Sequence, residues 1–267
     1  MFHHELNFYF SKNNMIKIIL LNKYYYEQIN LKKIRDYVTQ KMMYNNKIKN
    51  ILNFKNNNKI INICHLYKLK EIYISNSLKA NNLYLKKSTK MIKLYCNSDI
   101  KITNVNHLRN LKDLHCDRYS GIDQNGIKKL TQIGKLVCDF NSKITNVNHL
   151  SNLKDIHCEG NFVGIRCGIN QTTIKKLTKI TKLWCQYNKK IIDINHLCKL
   201  KELHCRNSGV NQYGIKNLTR ITKLDCSYNK KIIDVNHLNN LKELYCLDDS
   251  GIDQNGIKFL TKIVKLI

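Results

Sequence analysis

The sequence predicts an α/β solenoid, with a parallel concave sheet of about ten strands and short helices or extended turns on the convex side. Three observations predict it. Cysteines recur at near-fixed steps, at Cys96, Cys116, Cys138, Cys158, Cys185, Cys205, Cys226 and Cys246. The segments between them repeat in two alternating patterns. Each copy also carries an apolar-x-Cys triplet with the two-residue period of a strand. Self-similarity at steps of 20 to 27 residues is the mark of a stacked repeat array.

The first pattern reads ITNVNHLRNLKDLHC at 102–116 and returns ending at Cys158, Cys205 and Cys246. The second reads GIDQNGIKKLTQIGKLVC at 121–138 and returns ending at Cys185, at Cys226 and, truncated, at the C-terminus. Weaker copies place Ile74 and Phe54 at the cysteine position, so the array occupies 48–267 with an eleventh strand starting at Leu266. Leu218, Ile221, Leu224, Cys226 and Asn229 fill the pattern L-x-x-L-x-L-x-x-N, and the chain resembles the leucine-rich-repeat family. The first unit resembles the short class of internalins and phosphatase-1 regulators, and the second the cysteine-containing class of F-box proteins. Their alternation, in a Lys/Asn/Ile-rich style, resembles leucine-rich-repeat proteins of giant DNA viruses. The resemblance implies a binding scaffold rather than an enzyme.

Strand side chains alternate, so the apolar residue and the cysteine of each triplet face the core, where Cys packs as a small hydrophobe. Asn57, Asn141, Asn188 and Asn229 lie three residues past the core position, where the family uses Asn to satisfy turning backbone. The alternate units carry Gly121, Gly168, Gly209 or Gly251, then Asp123, Asn170, Asn211 or Asp253 as helix N-caps, which predicts a short helix over 124–131.

Three outward columns follow from this register. The first runs from Glu71 through Lys93 and Asp113 to Lys265 with strictly alternating sign, a charge ladder. The second is Tyr73, Tyr95, His115, Val137, His157, Trp184, His204, Asp225 and Tyr245, rich in residues that dominate binding hot spots. The third runs from Ser75 through Asp117, Asp139, Glu159 and Arg206 to Leu247 and is acidic at its centre, which argues against nucleic acid on this face. One step, from Cys158 to Cys185, is long. Its extra residues fall in 159–168, where three glycines predict mobility. His157, Phe162, Trp184, His204 and Arg206 are therefore the candidate partner-binding patch.

Catalytic and metal chemistry find no footing. The column histidines recur on every second strand, about 10 Å apart, too far to share a metal whose ligands sit near ~2 Å. His107, His149, His196 and His237 are spaced alike and read as structural. There is no C-x-x-C, phosphate loop or nucleophile elbow, and no cofactor is expected. Cys167 and Cys198 fall outside the ladder, and Cys167, on the long loop, is the expected reactive thiol.

The formal net charge of +27 comes with no Pro, a single Ala and an excess of Lys over Arg. Those biases follow A/T-rich codon usage and account for most of the charge. Nonspecific polyanion affinity is still expected, on the outer segments holding Lys128, Lys129, Lys175, Lys176, Lys179, Lys216 and Arg220. Neither a secretory signal nor a membrane-length apolar run is visible, so a reducing cytoplasmic location is expected. Residues 1–47 fall outside the repeat. Leu31, Ile34, Val38 and Met42 have helical spacing, which suits an N-terminal cap or, alternatively, an F-box-like helix of a ubiquitin-ligase substrate receptor. The last strand has no polar cap, leaving an edge open to self-association.

Overall fold

In a computed structural model of the chain, residues 51–53, 68–74, 82–164 and 166–267 are described. The cap segment 1–47, Phe54, Asn57 and Ser75 lie outside them. Eleven short strands build one parallel sheet in sequence order. They are β1 (Ile51–Asn53), β2 (Glu71–Tyr73), β3 (Lys93–Tyr95), β4 (Asp113–His115), β5 (Lys135–Val137) and β6 (Asp155–His157). The series continues with β7 (Lys182–Trp184), β8 (Glu202–His204), β9 (Lys223–Asp225), β10 (Glu243–Tyr245) and β11 (Lys265–Leu266). Single helical turns α1 (Asn82–Leu85), α2 (Gln124–Ile127), α3 (Gln171–Ile174) and α4 (Gln212–Ile215) cover the other side.

The register matches the alternation of the sequence. Leu94, Leu114, Leu136, Ile156 and Leu183 pair in a row, and each is fully buried. Beside them, Cys96 through Cys226 form a second buried row with Ile74 in the same place. A thiol is small enough for this row and also weakly polar. Cys96 donates through Sγ to the His115 carbonyl at 3.3 Å, and Cys138 to that of His157 at 3.3 Å, so the S–H finds an acceptor on the next strand.

The core asparagines do what the pattern implied. Asn141 Nδ2 donates to the carbonyls of Cys116 (2.8 Å) and Ile122 (3.1 Å), and its Oδ1 accepts from Lys143 N. Asn188 and Asn229 repeat this set one full repeat further on each time. In alternate units buried Ser120 and Ser208 stand in this region and accept from the backbone two residues on.

The predicted caps are formed: Asp123 accepts from Gly126 N at 2.8 Å, Asn170 from Thr173 N at 3.1 Å and Asn211 from Gly214 N at 2.9 Å. The helix is shorter than expected, ending at Ile127 rather than 131. From there the chain must return across the core to the sheet. A helical rise of ~1.5 Å per residue would cover too little distance, so the segment opens into turns. The turn also lies hard on the preceding unit: a Cβ on Gly126 would fall 2.1 Å from the Thr103 carbonyl oxygen. Gly168, counted toward a mobile loop, plays a similar packing role, since its Cβ would meet Ile144 O at 2.3 Å.

Candidate binding face on the concave sheet

Register places the three outward columns side by side. In the first, four of the five carboxylates pair with a lysine of a neighbouring strand, Lys93 to Glu71 at 3.6 Å, Lys135 to Asp155 at 3.1 Å, Lys182 to Glu202 at 2.7 Å and Lys223 to Glu243 at 3.5 Å, and the fifth is Asp113. Carboxylates of this column are also approached by the residue two positions on, because i and i+2 share a face of a strand. His115 Nε2 approaches Asp113 at 3.0 Å, His157 approaches Asp155 at 3.2 Å and His204 approaches Glu202 at 2.9 Å. Burial works to raise the Asp155 carboxyl. The hydrogen bond and charge of His157, with Lys135, overcome it and hold the group below the usual range. Glu202 is lowered against burial in the same way by Lys182 and His204.

The second column is not a row of separate side chains. Strand spacing of ~4.8 Å is close to the stacking distance of flat rings, so neighbouring rings lie on one another. Tyr73 stacks on Tyr95 with centroids 4.1 Å apart, and Tyr95 meets His115 at 4.1 Å. His157 stacks on Trp184 at 4.8 Å, and Trp184 on His204 at 3.6 Å with planes 10° apart. The small, buried Val137 on β5 separates the two stacks. The concave face thus carries two ring platforms, β2–β4 and β6–β8, with a dip between them.

Of the residues singled out from sequence, His157, Trp184 and His204 form one platform. His204 is the least accessible, 6% exposed, because Trp184 covers one ring face while Glu202 and Asp225 approach its nitrogens. Arg206 stands one column over. Its guanidinium lies 4.2 Å from the Tyr228 ring centroid, and Nε donates to Tyr187 Oη at 3.1 Å. Phe162 projects from the loop after β6 and is 84% exposed. That loop starts by extending the sheet, with Gly160 N donating to Gln186 O at 2.9 Å.

The third column is acidic at its centre, as the spacing predicts, and the structure adds that these acids are desolvated. Asp117, Asp139 and Glu159 lie just past the ends of the consecutive strands β4, β5 and β6, half-buried to buried, forming an acidic shelf beside the dip. Burial, then the Asp139 charge, pushes the Asp117 carboxyl up to about 6. Burial, then Asp139 and Asp225, pushes Glu159 up to about 7. Asp139 is also raised, chiefly by burial, although its Oδ1 accepts from Glu159 N at 2.8 Å.

Two smaller results concern cysteine and histidine. Cys167 is not the reactive thiol expected. It is 2% exposed, and its Sγ donates to the Cys138 carbonyl at 3.3 Å, because the loop folds back into the core before Gly168. Among the described cysteines, Cys198 is the exposed one. The N-H-L histidines each place Nε2 on the last carbonyl of the preceding helical turn, His107 on Leu85 at 2.8 Å and His196 on Ile174 at 2.9 Å. Among the described residues no three His, Cys, Asp or Glu side chains are placed to share a metal ion.

No family model matches the chain, and no curated protein matches it in sequence. Solved structures do match in fold. An internalin (InlF) of Listeria monocytogenes is similar with a TM-score of 0.59 and 19% identity, over 84% of this chain and 68% of that one. Internalin C2 of the same organism aligns with a TM-score of 0.53 and 24% identity, over 71% of this chain and 84% of its own. The functional domain of InlJ, described as including a cysteine ladder, aligns with a TM-score of 0.53 and 20% identity over 81% of this chain, which spans 52% of that one. The protein is therefore similar to the internalins in fold, and that fold is the leucine-rich-repeat solenoid.

Proposed function

We propose that this protein is a non-catalytic scaffold that binds another protein on its concave face. The observation that carries the reading is the pair of stacked ring platforms. Rings held by their neighbours lose little conformational freedom on binding, and Tyr and Trp supply large contact areas at low entropic cost. The paired charges of the first column leave no bare lysine row beside the rings, which favours a protein partner over a polyanion at this face. The fold similarity to internalins supports a scaffold, and no helix among the described residues is long and apolar enough to cross a membrane. A reducing cytoplasmic location belongs to the same proposal. It is supported by ladder cysteines that bond a neighbouring carbonyl rather than another sulfur. Affinity purification of the intact chain, compared with a Tyr95→Ala, Trp184→Ala double variant, tests the reading. A partner lost by the variant and retained by the native chain is the expected result, and retention of every partner overturns it.

A further inference from the structure

The basic residues of this chain are segregated, and codon usage accounts for their number but not their placement. The sheet is extended by one residue ahead of its strands. Lys112 N donates to Ile92 O at 2.8 Å, Gly134 N to Lys112 O at 2.8 Å and Lys154 N to Gly134 O at 2.9 Å, and the ladder runs on to Val264. In this leading row Lys70, Lys112, Lys154, Lys201 and Lys242 occur on every second strand. The intervening positions are Ile92, Gly134, Thr181, Thr222 and Val264, none of them charged. Two residues further upstream a second outward row holds Lys68, Lys90, Lys179, Lys199, Arg220 and Lys262, separated only by Asn and Gln. Between the rows run buried residues such as Leu111, Leu153 and Leu200, so both rows point away from the core along one edge.

The chain has 19 acidic residues, and none lies in either row. The five lysines of the leading row are exposed and take part in no ion pair among the described residues. Of the carboxylates that follow them in sequence, Glu71, Asp155, Glu202 and Glu243 are already paired with first-column lysines, and Asp113 is approached by His115. Lys179 and Lys262 reach only amide oxygens, Asn152 Oδ1 at 3.3 Å and Asn240 Oδ1 at 3.1 Å. At the first-repeat end the rows frame a hollow of about 410 Å³ lined by Lys68, Lys70, Lys90 and Lys112 with Asn110 and Gln132. Cations meet amide donors there, a combination suited to phosphate oxygens. The acidic shelf of Asp117, Asp139 and Glu159 follows the strands, on the opposite edge.

We infer that the leading edge of the sheet is a second binding surface, separate from the concave face, and that its ligand is the phosphate backbone of a nucleic-acid duplex. From Lys70 to Lys242 the row covers eight strand spacings, roughly 38 Å. That is about eleven base pairs of duplex, close to one turn. A straight row matches a linear polyanion. An anionic membrane is the poorer fit, because the two rows carry no exposed large apolar side chain to insert until Val264. Binding of this kind reads phosphate and not sequence.

The test uses the full chain and a fluorescein-labelled 20-base-pair DNA duplex, with anisotropy followed across about 50–200 mM NaCl. Two variants of equal charge change are compared, with circular dichroism confirming that each folds. One carries Lys112→Gln, Lys154→Gln, Lys201→Gln and Lys242→Gln. The other alters the convex turns, Lys128→Gln, Lys129→Gln, Lys175→Gln and Lys176→Gln. The edge variant is expected to weaken binding at least tenfold at the lower salt and to flatten the log–log salt slope by about 3–4, near 0.9 for each phosphate no longer neutralised. The convex variant is expected to keep most of both. Equal losses in the two variants would show that net charge alone binds, and would overturn the assignment. So would a duplex that fails to bind where phosphatidylserine vesicles do. The Tyr95→Ala, Trp184→Ala variant should bind duplex normally, so failure of this inference and failure of the concave-face reading are distinguishable.

Discussion

A single amide side chain joins two consecutive units at each of three levels in the array. Asn188 holds the buried carbonyls of Cys158 and Ile169 and the half-buried amide of Lys190. Removing it leaves buried acceptors without donors, which costs the desolvation of each as well as the bonds. Asn188→Ala should therefore lower unfolding free energy by about 2–4 kcal/mol, read from urea denaturation. Asn217, by contrast, is exposed and engages the neighbouring unit through its backbone N–H, so Asn217→Ala should stay within about 0.5 kcal/mol of the native chain. Thiol chemistry divides just as sharply. Burial pushes the ladder thiols of Cys116 and Cys205 well above the ordinary thiol range. In a timed maleimide reaction on the folded chain, Cys198→Ser should abolish a fast-labelling site and Cys167→Ser should abolish none. Fast labelling at Cys167 would mean that the loop is not packed as described.

At the scale of elements, the one-turn helices decide how closely units stack. Gly126 and Gly214 each face a backbone carbonyl at about 2.1 Å from a would-be Cβ, Thr103 O and Ile192 O. Gly126→Ala must push two units apart, and a cost of about 1–3 kcal/mol is expected, visible as a lowered Tm. At the corresponding position of α3 the chain has Thr173. It survives by donating its hydroxyl to Thr145 O at 2.6 Å, so an approach that excludes a methyl group elsewhere becomes a hydrogen bond. Thr173→Val, which keeps the bulk and removes the donor, should therefore destabilise more than Thr173→Gly. The helical turns are tied to the following unit by Gln124, Gln171 and Gln212. Each accepts from two backbone N–H groups and donates to one carbonyl of the next repeat. These glutamines sit in plain view in the repeat, yet nothing in one sequence says that a convex Gln reaches a neighbour 21 residues away in the chain.

For the whole molecule, the charge columns make stability depend on pH in two opposite ways. Glu159 has its carboxyl raised from 4.5 to about 7, so between those values the folded chain holds a proton that the unfolded chain releases. Stability from this group therefore falls as pH rises through that window, and the penalty is complete above it. Asp155, Glu202 and Asp225 are lowered. Their contribution is present above the unfolded values and is lost as pH falls through the folded ones. Glu159→Gln should accordingly raise Tm by a few degrees at pH 8 and by much less at pH 5. Equal effects at the two values would refute the raised carboxyl. Because each unit contacts only its neighbours, these effects should remain local to β5–β7 rather than spread through the array.

Much of this was legible from the chain alone. A cysteine every 20 to 22 residues, with one longer step of 27, and an apolar residue two positions before each, determined the strand register, and register determined all three outward columns. The N-caps Asp123, Asn170 and Asn211 were legible because capping is decided within four residues. What only the tertiary structure decided depends on distance between units. Column order alone does not show that neighbouring rings stack face to face, or that Val137 divides them into two platforms. Nor does it show that Cys167 turns inward, that the acids of the third column are desolvated, or that two lysine rows share one edge. The physical reason is common to all of these. Side-chain period and capping are local properties of the backbone, whereas stacking, desolvation and charge segregation arise when units about twenty residues apart in sequence are brought to about 4.8 Å in space.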